Sequence, residues 1–341
     1  CASADWPRRG VDAHADRLPL TLITPWLPPR DDGRPWLLHG EVAFTAQLHP
    51  VGNAWRGSAK LSSASGGLRN SERSRNDLIS YDHFEADTEF DPQHLSFTLG
   101  TTFNEDGRVD AHIATGWDDY APLSGEVSLR TDTLTWMELL SPDIAEPTGL
   151  LEGHVALGGT RAQPTLGGQA HLSNFATEVP PLAIAPHDGD IRLDAQPDGT
   201  ARIAGTIVSG DGTLRVDGTL GWHGDDTPLV LNVTGTHVLA ADTRDLNAVI
   251  APDVVVRYQA GQPLEATGTV TVESGRMDLE RLDTGVSRSP DVVVLDPVDA
   301  KRGVQTPLSL DLTLVLPERA VKLNGFGLNG ALDGKLRVRQ R

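Results

Sequence analysis

The stretch PLSLDLTLVLP, residues 307–317, sets Leu308, Leu310, Leu312, Leu314 and Leu316 at every second position. Side chains alternate across an extended chain, so these five leucines share one face, while Ser309, Asp311, Thr313 and Val315 occupy the other. The same alternation recurs almost from end to end. EVAFTAQL aligns Val42, Phe44, Ala46 and Leu48, and HFEADTEFD aligns Phe84, Ala86 and Phe90. ARIAGTIV brings Ile203 and Ile207 together; GTLRVDGTL adds Leu214, Val216 and Leu220; PLVLNV adds Leu229, Leu231 and Val233. LEATGTVTV contributes Val270 and Val272, and KLRV contributes Leu336 and Val338. About twenty such runs follow one another, separated by Gly, Asp, Asn and Pro, which predicts an all-β chain of short strands.

Every one of those strands has an apolar face that needs cover. Helices do not supply it. The best helical spacing is TLTWMELL, where Trp136, Leu139 and Leu140 predict a short helix near 134–141 that ends at Pro142. Large side chains are scarce as well, since only 5% of residues are aromatic, whereas Gly (35) and Pro (23) are abundant. Leu, Val, Ile, Ala and Gly make a smooth wall. Two architectures satisfy the pattern: a sheet folded lengthwise into a hollow trough, or a closed β-helix or sandwich packed solid by the same residues.

A long-range repeat bears on domain organisation. LLHGEVA (37–43) returns as LLEGHVA (150–156), each preceded by an apolar stretch with a proline turn, at Pro25 and at Pro142. The turn recurs around Pro252 and Pro290. Repetition without a shift in composition predicts two continuous segments of one elongated sheet, residues 1–149 and 150–341.

Charge and motifs exclude several functions. Acids outnumber bases 47 to 29, a formal charge of −18, which repels nucleic acid and anionic membrane surfaces. No run of about 18 apolar residues is present to cross a membrane as a helix. Cys1 is the one cysteine, so no intramolecular disulfide forms. GFGLNG (325–330) fits a dinucleotide fingerprint on paper but runs into the alternating ALDGKLRVRQR, so a turn with a glycine kink explains it. His83, Glu85, Asp87, Glu89 and Asp91 alternate as a wet face. Such residues stand roughly 6.6–6.8 Å apart along a strand, too far to converge on Ca²⁺. No HExxH, paired CxxC or GxSxG occurs, and the expectation is a non-enzyme with no cofactor and no metal.

The block GRMDLERLDTGVSRSPDVVVLD (275–296), the leucine ridge after it, and VKLNGFGLNGALDGKLRV (321–338) resemble the C-terminal region of the TamB family. LLSPDIAEPTGLLEGHVALGGTRAQPTLGGQAHLSNF (139–175) and GTLRVDGTL (212–220) are similar to its repeating units. That family is the inner-membrane component of the bacterial translocation and assembly module, within the AsmA-like group of bridge proteins. The resemblance implies a lengthwise-folded β-trough (a β-taco, or open β-helix) in the periplasm of a Gram-negative bacterium, anchored in the inner membrane by a helix this chain lacks. It also implies a TamA-like partner barrel of the Omp85 class in the outer membrane, and phospholipid acyl chains as cargo. On that reading, the groove lining comprises Ile203, Ile207, Leu214, Val216, Leu220, Leu229, Leu231, Val233, Val270, Val272 and the leucines 308, 310, 312, 314 and 316. Trp136, Leu139 and Leu140 form a short helix that plugs or gates it. The rivals are a scaffold whose strand edges receive outer-membrane proteins and autotransporters, and a polysaccharide-active enzyme on a packed β-helix.

Overall fold

The structure, a computed structural model, describes residues 2–4, 10–26, 36–69, 77, 79–104, 106–139, 143–196, 198–221, 228–260, 262–278, 308–325 and 328–340. They form one sheet of nineteen strands. The first ten are β1 (Ala2–Ala4), β2 (Val11–Pro19), β3 (Leu37–Val51), β4 (Ala54–Arg69), β5 (Ile79–Phe90), β6 (Leu95–Phe103), β7 (Gly107–Thr115), β8 (Ser124–Thr133), β9 (Ala145–Gly159) and β10 (Pro164–Glu178). The remainder are β11 (His187–Ala195), β12 (Thr200–Ser209), β13 (Gly212–Gly221), β14 (Leu229–Thr236), β15 (Val238–Asp242), β16 (Leu246–Tyr258), β17 (Leu264–Asp278), β18 (Leu308–Gly325) and β19 (Leu328–Gln340).

Spatial order follows chain order. Each strand pairs antiparallel with the next, with two departures. β14 and β15 lie end to end along the same edge of β16, and β17 pairs with β18 in parallel. The sheet is therefore an open ladder of eighteen rungs, about 80 Å long at 4.7–4.9 Å per rung. Residue 150 falls inside β9, and pairing continues through it on both sides.

A crease runs along this ladder. Register shifts occur at Ala15/Leu18 against β3, Gly40/Ala43 against β4 and Asp82/Glu85 against β6. They resume at Thr131/Thr133, Leu172/Phe175, His187/Asp190, Thr271/Gly275 and Leu316/Val321, each near its neighbour's break. A bulge bends its strand, and bulges lined up across neighbours bend the whole sheet into a trough. Arg17, His83, Asn174, Asp188, His237 and Arg319 take positive φ, between 51° and 61°, along this line. A non-glycine residue in that region costs about 1–3 kcal/mol, so the crease is held against local strain by the pairing around it.

Bulges also free backbone carbonyls, and buried hydroxyls meet them. Ser63 Oγ donates to the Glu41 carbonyl (2.7 Å), Thr177 Oγ1 to that of Ala145 (2.9 Å), and Ser209 Oγ to that of Leu239 (2.6 Å). Thr131 Oγ1 donates to the Thr133 carbonyl (3.2 Å). All four side chains are buried. An unmet buried carbonyl would cost about 1–3 kcal/mol, which makes hydroxyls the fitting residues here.

Three 3-10 segments sit on one rim: η1 (Leu20–Trp26) between β2 and β3, η2 (Thr135–Leu139) between β8 and β9, and η3 (Pro180–Leu182) between β10 and β11. The helix expected near 134–141 is thus a 3-10 turn of five residues, with Leu140 outside the described residues. Pro252 makes no turn. It lies within β16, opposite Val270, where β14 stops pairing at Asp253 and β15 begins at Ile250. Proline lacks an amide hydrogen, and a gap in the ladder is where that loss is tolerated. Pro142, Pro290 and most of 275–296 lie outside the described residues.

Candidate functional site: the apolar inner face

Directly paired residues share a face, so the registers show what the trough presents. One row runs Leu193–Ile203–Gly218–Leu231–Val256–Ala266–Leu310. The next runs Ile191–Gly205–Val216–Val233–Val254–Gly268–Leu312–Val338. Ala201, Leu220, Leu229 and Tyr258 form a third; Ile207 and Leu214 pair beyond the second. Val270 stands between Pro252 and Leu314, Val272 opposite Ile250, and Leu316 opposite Gly334. Leu308 pairs with Leu264, its side chain being outside the described set. By register, the predicted lining residues whose side chains are described share one face of the sheet.

The rows continue through the first half of the chain. Ala15, Phe44, Leu61, Ala86, Leu99, Ala111, Val127 and Val155 make an unbroken lateral line. Glycines within the rows let large neighbours lie flat. A Cβ on Gly205 would stand 2.8 Å from Ile191 Cγ1, and one on Gly218 would stand 3.0 Å from Leu231 Cδ2. Among the described residues, the buried apolar side chains are few: Leu134, Phe175, Ala201, Val238, Ala241 and Val321. Most of these line the crease or its rim. The rows themselves are half-buried, as in a wall facing a hollow rather than a packed interior.

The outer face is polar in the same systematic way. One outer row reads Arg108–Arg130–Glu152–His171–Arg192. Arg130 pairs with Glu152, His171 Nε2 lies 2.8 Å from Asp190 Oδ2, and Lys60 pairs with Glu85. At the far end Arg337 forks onto Asp311 (2.6 and 2.7 Å), and with Arg339 it holds that carboxyl at about 2. In HFEADTEFD a bulge at His83 keeps Phe84 inward while Glu85 and Asp87 turn out towards Lys60. Asp91 closes the following turn, accepting hydrogen bonds from the Gln93 and His94 amides, which hold its carboxyl below the usual range. Among the described residues no group of three His, Cys, Asp or Glu is placed to hold a metal ion.

The rim segments modify the inner face. Leu20 and Leu22 of η1, with Leu18 and Pro19 at the end of β2, line a cavity of about 550 Å³ together with Leu38, Val42, Leu61, Leu68, Ile79, Tyr81 and Phe84 of the sheet. Sequence reasoning missed this site. Its signal was the dense apolar run PLTLITPWL beside two apolar strands. The Tyr81 hydroxyl is 2.8 Å from Ser63 Oγ, so the polar tip on the floor is already partnered. Behind Gly67, Asp77 accepts from Arg69 Nε (2.8 Å) and lies 2.8 Å from His39 Nε2. Burial pushes the Asp77 carboxyl up, but the Arg69 and His39 hydrogen bonds outweigh it, and the net shift is downward. At η2 the burial falls ahead of the turn. Leu134, just ahead of the turn, is fully buried; Trp136 is only half-buried, and the Leu139 side chain lies outside the described set. Glu138 Oε1 accepts the Glu146 amide (3.1 Å), tying the turn to β9.

An open, creased sheet with one apolar face along its length defines an extended β-trough protein. The chain belongs to the TamB family. Its residues 10–172 match the family's N-terminal domain and residues 200–341 match the TamB C-terminal domain. It is similar to the translocation and assembly module subunit TamB of Haemophilus influenzae, 24% identical over 275 residues, covering 73% of this chain. The chain spans 20% of that relative's length. No solved structure is similar to it. Among the described residues no helix is long and apolar enough to cross a membrane.

Proposed function

We propose that the inner face shields the acyl chains of phospholipid, as one stretch of a periplasmic, inner-membrane-anchored bridge to the outer membrane within a translocation and assembly module. The observation that carries this reading is the set of lateral apolar rows, continuous across β2–β9 and across β11–β19, over a hollow rather than a solid interior. Removing a 16-carbon chain from a membrane into water costs about 13 kcal/mol at about 0.8 kcal/mol per CH₂. A trough lined with Leu, Val and Ile removes most of that cost without chemistry, and its length of about 80 Å suits a conduit across an aqueous gap. Binding partners on this reading are phospholipid and, at the outer membrane, a TamA-like barrel.

The test uses two adjacent residues on opposite faces. Leu312 stands between Gly268 and Val338 on the inner side, and Thr313 between Thr269 and Arg337 on the outer. A photocrosslinker at Leu312 should capture phospholipid in cells and one at Thr313 should not. Leu312→Asp should impair lipid passage far more than Thr313→Asp. Equal capture or equal impairment at the two positions would overturn the proposal.

A further inference from the structure

The roofed cavity at η1 differs from the rest of the inner face because it is partly enclosed. We propose that it is a holding site for one linear alkyl chain, seated beneath η1 with its polar end outside the rim near Leu22. This rests on the reading of the inner face as a shield for acyl chains, and adds a fixed station to it. Two observations and one general property of apolar cavities support it. The cavity, about 550 Å³, falls in the range of about 300–1,000 Å³ that small-molecule sites occupy. Its lining is aliphatic apart from Tyr81 and Phe84, and the Tyr81 hydroxyl is bonded to Ser63, so it offers no free polar group to a polar ligand or to water. Apolar cavities of even about 150 Å³ stay dry and take up apolar molecules.

The shape of the occupant follows from what adjoins the cavity. Leu61, on its floor, also belongs to the lateral row that continues through Ala86 and Leu99 onto the open sheet. A flexible chain can lie under the roof and extend along that row, whereas a rigid ring system cannot do both. Leu22, 54% exposed, places an apolar side chain at the rim where such a chain would enter.

The experiment uses the full chain and palmitic acid carrying a photoreactive diazirine at its terminal carbon, with adducts mapped by peptide mass. One adduct per chain is expected, on peptides containing residues 18–22 and 79–84. Unlabelled dodecane should compete it away, and free phosphocholine should not. Leu61→Trp, which fills the cavity, should cut labelling at least tenfold, while Thr313→Asp, on the outer face, leaves it unchanged. Circular dichroism confirms that each variant is folded, and the dodecane competition stands independently of any variant. Labelling spread evenly along the strands, or unaffected by dodecane, overturns the holding site while leaving the proposed function intact. No labelling anywhere, together with no phospholipid captured at Leu312, overturns both.

Discussion

Both η1 and η2 fold from the same rim onto the inner face, yet the first roofs a void of about 550 Å³ and the second closes around a leucine with no exposed surface. The difference lies in what each segment finds beneath it. Under η1 the sheet carries Gly40, Gly66 and Gly67 beside the crease, and the Tyr81 ring occupies the space that a side chain on Gly66 would need. The floor sinks, and Leu20 and Leu22 span it without filling it. Near η2 the crease carries Thr131, 1% exposed, and Leu134, just ahead of the turn, has no exposed surface. The same short helical turn therefore stands over a void at small residues in one place and directly follows a buried leucine in the other.

Emptying the two sites should separate them most. Leu134→Ala should cost about 2–5 kcal/mol, the range for a buried leucine that leaves a cavity behind. Leu22→Ala, at a wall already facing a void, should stay within about 0.5 kcal/mol. Urea unfolding midpoints of the two variants read the contrast, and equal losses would break it.

Filling them should reverse the tolerance. Thr131→Leu should cost about 1–3 kcal/mol through overpacking, while Leu61→Phe should be close to neutral in thermal unfolding because there is room for it. Deleting the crease hydroxyls sharpens a different point, since here the two regions should agree. Ser63→Ala and Thr131→Val each strand a buried carbonyl and should each cost about 1–3 kcal/mol.

The smallest effect is acid sensitivity at the η1 corner. The Asp77 carboxyl lies below its ordinary value of 3.8 in the folded chain, so its contribution is present above that pH and fades as pH falls below it. Asp77→Asn should flatten the low-pH limb of stability near β4 and β5, and Thr131→Val should leave that limb unchanged. Hydrogen exchange of the Leu68 and Ile79 amides across pH 3–5 provides the readout.

Much of this was legible in alternation alone. Leu308 to Leu316, Leu214 to Leu220 and Leu229 to Val233 read directly as strands with one apolar face, and GFGLNG read as the reversal between β18 and β19. The crease was not legible. Its left-handed residues are Arg17, His83, Asn174, Asp188, His237 and Arg319, side chains with no common chemistry, fixed by pairing between strands rather than by local preference. The repeat was readable but its register was not. Both copies start near a 3-10 turn, yet the crease crosses β3 at 40–43 and β9 near Gly149. TLTWMELL shows the limit at the scale of a few residues. Helical spacing pointed to Trp136, Leu139 and Leu140 as one face, whereas η2 begins at Thr135, Leu134 just ahead of it is buried, and Trp136 is half-buried.

Because each rung pairs only with the rungs before and after it, and contacts that skip a rung, such as Ser209 to Leu239, stay local, the molecule is assembled like a tape measure. Inserting or deleting one hairpin changes the span by about 10 Å and leaves the cross-section and every distant contact as they were. Reach can thus be adjusted between relatives without redesigning the interior, a freedom that a closed barrel of the same residues would not have.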